Sequence, residues 1–181
     1  MAERLPTNRE VADRLRLIGD LLELEGAVRH RVLAYRRAAA RITSTTTSVA
    51  AMAVAGRAVE LPDIGTTLQA KIVELVETGD IAALAKLRER VPVGLAAVAR
   101  LEGIGPKRAV ALWKQLGVAD VDDLDAALAD GRVSDVPGYL AAGVGVLKLQ
   151  GRSLPPALLG PLVARYRRAI DAARAGELPP D

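Results

Sequence analysis

The sequence has no cysteine, no phenylalanine, one tryptophan and a single histidine, His30. Without cysteine there is no disulfide, no thiolate metal site and no cysteine nucleophile, and one histidine cannot build a His-rich metal site, so structural zinc is not expected. Aromatic rings make up 2% of the 181 residues, which leaves Ala, Leu and Val to supply most of the apolar half of the chain. That composition suits helices packed closely through small and branched side chains rather than sheets, and the expected fold class is all-α. The apolar fraction is sufficient for a core without covalent staples. No apolar run approaches the ~20 residues needed to span a membrane, and Met1 to Pro6 lacks the apolar core of a signal peptide. No membrane partner is expected, and the default location is the cytoplasm.

A formal charge of +3 says little by itself, but its distribution is uneven. Between Gly26 and Val59 stand Arg29, Arg31, Arg36, Arg37, Arg41 and Arg57 without one acid, and Lys148, Arg152, Arg165, Arg167, Arg168 and Arg174 are opposed only by Asp171. The stretch between these regions holds Asp120, Asp122, Asp123, Asp125, Asp130 and Asp135. Two basic regions flank an acidic middle, a pattern compatible with an anionic partner and equally with solvated helix faces.

Thr7-Asn8-Arg9-Glu10 fits a capping box, and Val11, Leu15, Ile18 and Leu22 follow at helical spacing until Gly26. A second helix is expected to turn Val32, Tyr35, Ala39 and Ile42 inward and its arginines outward, and to break in the hydroxylated run Thr43 to Ser48. A short Ala-rich helix ends near Gly56. Two later segments match at an offset of 40 residues: Leu61-Pro62-Asp63-Ile64-Gly65 leads into Leu68, Ile72 and Leu75, and Leu101-Glu102-Gly103-Ile104-Gly105 leads into Ala109, Leu112 and Leu116. Between them, Ile81, Leu84 and Leu87 mark a helix ending before Pro92, and Leu95 to Arg100 a short one. The acid-rich Val121-Asp122-Asp123-Leu124 opens another helix. From Arg132, glycines interrupt every candidate until Pro161 to Ala175, where Leu162, Val163, Tyr166 and Ile170 share one face. The residues from Glu177 look frayed.

The repeated turn carries the chemistry. In Gly103-Ile104-Gly105 the glycines permit positive φ and close approach by another backbone, while the isoleucine pins the turn into the core. Free amides at the start of the next helix then converge with the positive end of its dipole, which makes an anion site suited to phosphate. Gly65 and Thr66 hold this position in the first copy, and Gly103, Gly105, Lys107 and Arg108 in the second, where Pro106 fits the first helical turn. One Gly-x-Gly is an ordinary tight turn; two copies with matching apolar positions point to a grip on the DNA backbone, which carries no base information.

These segments together resemble the amino-terminal part of family X DNA polymerases, the group that includes polymerase beta. The resemblance runs from the Asn8 helix through Ala34-Tyr35-Arg36-Arg37-Ala38-Ala39 and both turns to Arg152-Ser153-Leu154-Pro155. It implies two small helical subdomains, each with a helix-hairpin-helix motif: a lyase-type domain over residues 4–91 and a DNA-binding subdomain over 92–176. The chain ends where the family's nucleotidyl-transfer domain would begin, so polymerisation is not expected. Lys71 stands at the position of the family's lyase lysine, which forms a Schiff base with the deoxyribose of an incised abasic site, and such an amine must shed its proton to attack. The resemblance also implies that His30, Arg31 and Tyr35 form a 5′-phosphate pocket, with Arg29 and Arg36 adding to its field. A monovalent cation, Na+ or K+, held by the carbonyls of Ala99, Leu101 and Ile104 is implied as well, with Val59, Leu61 and Ile64 as the equivalent set in the first copy.

Three residues depart from the family. Asp63 replaces a glycine of the first turn and sets a carboxylate where phosphate should come, and Thr67 and Val59 stand where polymerase beta has lysine. The leading expectation is therefore a sequence-independent binder of gapped, nicked or damaged DNA in repair, on the nucleoid when bound and with no required cofactor. The alternatives are a stand-alone 5′-deoxyribose-phosphate lyase, and an interaction module that docks a basic or repair-protein partner through Asp120 to Asp135.

Overall fold

The computed structural model describes residues 4–129 and 156–175. The glycine-interrupted stretch after Arg132, the Arg152-Ser153-Leu154-Pro155 segment and the tail from Glu177 lie outside the described residues. Among the described residues every regular element is helical, as the composition implied. In chain order these are α1 (Asn8–Glu25), α2 (Arg29–Ser44), α3 (Val49–Val54), a 3-10 turn (Ala58–Glu60), α4 (Thr66–Thr78), α5 (Ala82–Arg88), α6 (Leu95–Arg100), α7 (Gly105–Leu116), α8 (Val121–Ala129) and α9 (Pro156–Ala175). No helix among the described residues is long and apolar enough to cross a membrane.

The boundaries follow from capping chemistry. The Thr7 hydroxyl accepts the Glu10 N–H at 3.2 Å, and the Glu10 carboxylate accepts the Thr7 N–H at 2.7 Å, so α1 opens on a complete capping box. Thr7 and Arg4 hold the Glu10 carboxyl down to about 2, well below its ordinary value. Asn8 then ties this end of α1 to the next connection. Its amide donates to the carbonyls of Thr45 and Thr47, each at 2.8 Å, and its oxygen accepts the Val49 N–H at 2.8 Å. Left-handed glycines at 26, 79 and 117 close α1, α4 and α7.

Helix α1 is the central element. It packs along α2 and also meets α3, α5, α6 and α7, burying Leu15, Ile18, Leu21 and Leu22 completely. Each such side chain contributes roughly 1.5–3 kcal/mol by leaving water. The outer face of α1 toward α2 and α6 carries one buried acid, Asp20, at 8% exposure. Arg36 donates to it from α2 at 2.9 Å, and Arg100 donates to it from the end of α6.

Contacts divide the chain into one compact unit through Val121 and another from Asp122. This differs from the division at residue 91 that the resemblance implied, because α6 and α7 both pack on α1 and carry the second turn into the first unit. In the unit from Asp122, Leu124 and Ala127 are buried on α8, and Arg167 pairs with Asp171 at 3.1 Å on α9. Helix α9 begins five residues earlier than its apolar stripe suggested, and Val163, expected on the covered face, is 47% exposed. A stripe is buried only where another element covers it.

Candidate nucleic-acid interface

The two copies of the repeated turn share one backbone hydrogen-bond pattern as far as the isoleucine. In the first, the N–H of Leu61 donates to Ala58 at 3.1 Å and that of Ile64 to Leu61 at 3.2 Å. In the second, Leu101 donates to Val98 and Ile104 to Leu101, both at 3.1 Å. The first turn is thus preceded by the 3-10 turn Ala58–Glu60, an element too short to leave a periodicity in the sequence. Ile64 is buried at 4% exposure and anchors its loop in the core, whereas Ile104, expected to do the same in the second turn, is only half-buried. Asp63 and Gly103 occupy equivalent positions, and both are left-handed, with φ 68° and 85°.

The copies differ one step later. Gly65 is extended, with φ −90° and ψ 178°, and caps α4 without any side-chain acceptor. The N–H groups of Thr66 and Thr67 therefore meet no acceptor among the described residues and face outward at the positive end of a 13-residue helix. Gly105 instead has φ 68° and begins α7 itself. Pro106 explains this, because its ring drives the preceding residue out of the helical region, and glycine escapes to positive φ. A Cβ at Gly65, Gly103 or Gly105 would meet nothing within 4 Å, so all three turn backbones are open to approach. Lys107 is exposed beside the second turn, and Arg108 folds back to donate to the Gly103 carbonyl.

A cleft of about 610 Å³ lies between α2 and the first turn. It gathers His30, Arg31, Ala34 and Tyr35 from α2, Asp63 and Gly65 from the turn, and Thr66, Thr67, Leu68 and Lys71 from α4. The residues assigned from the sequence to the phosphate pocket, the first turn and the lyase lysine thus line one wall-to-wall space. Lys71 is half-buried there, and no described residue forms an ion pair with it. Tyr35 is both a core aromatic and a cleft residue. Burial pushes its phenol above the ordinary value while the charge of Arg31 pulls it down.

Two expectations for this region change. Arg36 does not add to the field of the cleft, because its guanidinium turns to α1 and binds Glu23 at 2.6 Å and Asp20 at 2.9 Å. Glu23 first, and then Asp20, strengthen its hold on the proton against the opposing cost of burial. Asp63 is countered by Arg41, whose guanidinium lies 3.7 Å from the carboxylate. The sequence carried a signal for Arg41: His30, Ala34, Arg37 and Arg41 recur at intervals that place them on one stripe of α2. Arg29, Arg31 and Arg37 are exposed, and no described residue forms an ion pair with any of them.

The carbonyls named for a monovalent cation lie at the second turn. That of Leu101 already accepts the Ile104 N–H at 3.1 Å, and the Arg108 guanidinium is bound at the adjacent Gly103 carbonyl. Among the described residues no group of three or more His, Asp or Glu side chains is placed to hold a metal ion. The acidic residues Asp122, Asp123 and Asp125 are exposed on α8, while Asp130 and Asp135 lie outside the described residues.

Residues 6–81 match the family described as helix-hairpin-helix domain, over the span from α1 to the start of α5 that holds the first turn and the cleft. The chain is also similar to the DNA polymerase/3′-5′ exonuclease PolX of Bacillus subtilis (strain 168), with 31% identity over 125 residues. The alignment covers 69% of this chain and 21% of that relative, so the chain spans about a fifth of the relative's length. The resemblance to the amino-terminal region of family X polymerases is borne out, and so, over the described residues, is the all-α fold.

Proposed function

We propose that this chain binds DNA through the sugar-phosphate backbone, with little regard to sequence, and prefers gapped, nicked or damaged duplexes of the kind met in repair. The observation that carries this reading is the uncapped start of α4: the Thr66 and Thr67 amides open onto a cleft that also holds Arg31 and Lys71. Amides and cations converging on an open concave site suit a phosphate, and a cleft closed on one side by α2 suits a strand end better than continuous duplex. The second turn adds a second backbone contact through the Gly103 to Gly105 backbone and Lys107. No cofactor is required.

The decisive measurement is fluorescence anisotropy of the full chain with two one-nucleotide-gapped duplexes of unrelated sequence and with the matching intact duplexes. Affinities for the two gapped sequences should agree within about threefold, and both should exceed those for intact DNA. A strong preference for one sequence would contradict the reading.

One observation supports a second activity on the same site. Lys71 stands in the cleft with His30, Arg31 and Tyr35 around it, the arrangement a 5′-deoxyribose-phosphate lyase needs. Its amine would add to the C1′ aldehyde and lose water to form an imine. Loss of a C2′ proton then breaks the C3′–O bond and frees the phosphorylated strand, and water returns the lysine. Asp63 opposes the dianionic sugar phosphate, and Thr67 and Val59 offer it no charge, so this activity is weak.

A further inference from the structure

We infer that Asp63 is a specificity-determining residue of the cleft: it disfavours a DNA end bearing a 5′-phosphate and favours one bearing a 5′-hydroxyl. The inference rests on the DNA-binding reading above and names the class of end that site selects.

The two turns provide an internal comparison. Asp63 and Gly103 sit at the same step of the same backbone course and share the left-handed conformation, which glycine adopts at least cost. Asp63 is the one non-glycine residue at positive φ among the described residues. Aspartate adds nothing to the turn's backbone that glycine would not supply more cheaply. What it adds is a carboxylate, on a residue that lines the cleft together with Arg31, Thr66 and Lys71. The second turn, with glycine at this step, has no such group.

The charge of the guest decides what the carboxylate does. A terminal phosphomonoester carries about −1.5 to −2 near neutral pH, whereas the bridging phosphodiester of an unphosphorylated end carries a single charge. Repulsion by a fixed negative group scales with that charge, so the monoester suffers up to about twice the penalty. Arg41 lowers the penalty without abolishing it, because at 3.7 Å the pair is loose and both side chains keep access to water. A 5′-hydroxyl reverses the sign: it donates to the carboxylate in a charge-assisted hydrogen bond. The outward amides of Thr66 and Thr67 still serve the bridging phosphate.

The test uses the full chain and two gapped duplexes that differ only in a 5′-phosphate or a 5′-hydroxyl at the downstream margin of the gap, so contributions from the second turn cancel in the ratio. Asp63→Asn removes the charge and retains a residue tolerant of the left-handed conformation, and Asp63→Gly restores what the second turn has. Both should melt close to the wild type. The wild type should bind the hydroxyl end at least as tightly as the phosphate end, and both variants should shift the ratio toward the phosphate end by about tenfold. An unchanged ratio in both variants overturns the inference while leaving DNA binding intact. A shift with Gly but not Asn also overturns it, because conformation rather than charge would then be the cause. If the wild type binds neither duplex, the DNA-binding reading fails and the inference falls with it.

Discussion

Arg100, at the end of the helix leading into the second turn, donates to Asp20 on α1, 80 residues away in the chain. Arg36 reaches the same carboxylate from α2 at 2.9 Å, so one nearly buried acid joins the helix that lines the cleft to the helix that presents the second turn. Asp20→Asn should therefore loosen two connections at once. The guanidinium groups remain 38% and 60% exposed, which limits the loss to about 1–2 kcal/mol, well below that of a dry ion pair. Urea unfolding measures this, and DNA affinity should fall along with stability. A variant as stable as the wild type would show that the three-way bridge contributes nothing.

Around the second turn, charge and backbone conformation make separable predictions. Lys107→Glu should weaken DNA binding more than Asp123→Lys strengthens or weakens it, because only Lys107 stands beside an anion turn. Gly105→Val should be worse than Lys107→Glu. The position has open space but a φ of 68°, which a β-branched residue takes only at a cost of about 1–2 kcal/mol or more. Binding titrations with circular dichroism melts on the same samples check both. A Gly105→Val chain that folded and bound normally would remove the second turn from the interface.

The lyase activity should be weak and should depend on Lys71. Borohydride trapping on one incised abasic duplex is expected to be faint for the wild type, absent for Lys71→Ala and stronger for Asp63→Gly, which relieves repulsion of the sugar phosphate. Removing one like-charge repulsion of about 1.5 kcal/mol amounts to about tenfold in yield. Equal trapping without Lys71 would dismiss it as the nucleophile.

The capping box sets a pH dependence at the start of α1. The Glu10 carboxyl titrates at about 2 in the folded chain against an ordinary value of 4.5, so its charged form is favoured by folding. Its contribution is fully present above the unfolded value and is lost as pH falls through about 2. Carboxyl NMR of Glu10 should show that low midpoint, and Thr7→Ala should raise it. A midpoint near 4.5 would mean the box does not hold in solution.

Local chemistry made much of the fold legible. Thr7 and Glu10 announced the start of α1, Gly26 marked its end, and Leu95–Arg100 formed a helix over its expected range. The repeat was legible because Leu61, Ile64 and Gly65 recur as Leu101, Ile104 and Gly105 at an offset of 40 residues, and each turn leads into an apolar helical stripe. What escaped the sequence was long-range pairing. Nothing local distinguishes Arg36, which turns inward to Glu23 and Asp20, from Arg37, which does not. Arg100 finds Asp20 across most of the compact unit, and the offset of Asp63 by Arg41 required knowing that α2 passes beside the turn. The difference between Gly65 and Gly105 was nearer to hand, since Pro106 restricts the residue before it.

The central claim is that phosphate contacts through the two turns dominate binding, and the salt dependence of affinity tests it most directly. Each phosphate neutralised by Lys or Arg releases counterions, so log affinity should fall linearly with log salt between about 50 and 200 mM. Lys107→Glu should flatten that slope by about one charge, and two unrelated gapped sequences should give the same line. Affinity that stayed level across this range, or a slope untouched by Lys107→Glu, would contradict the account.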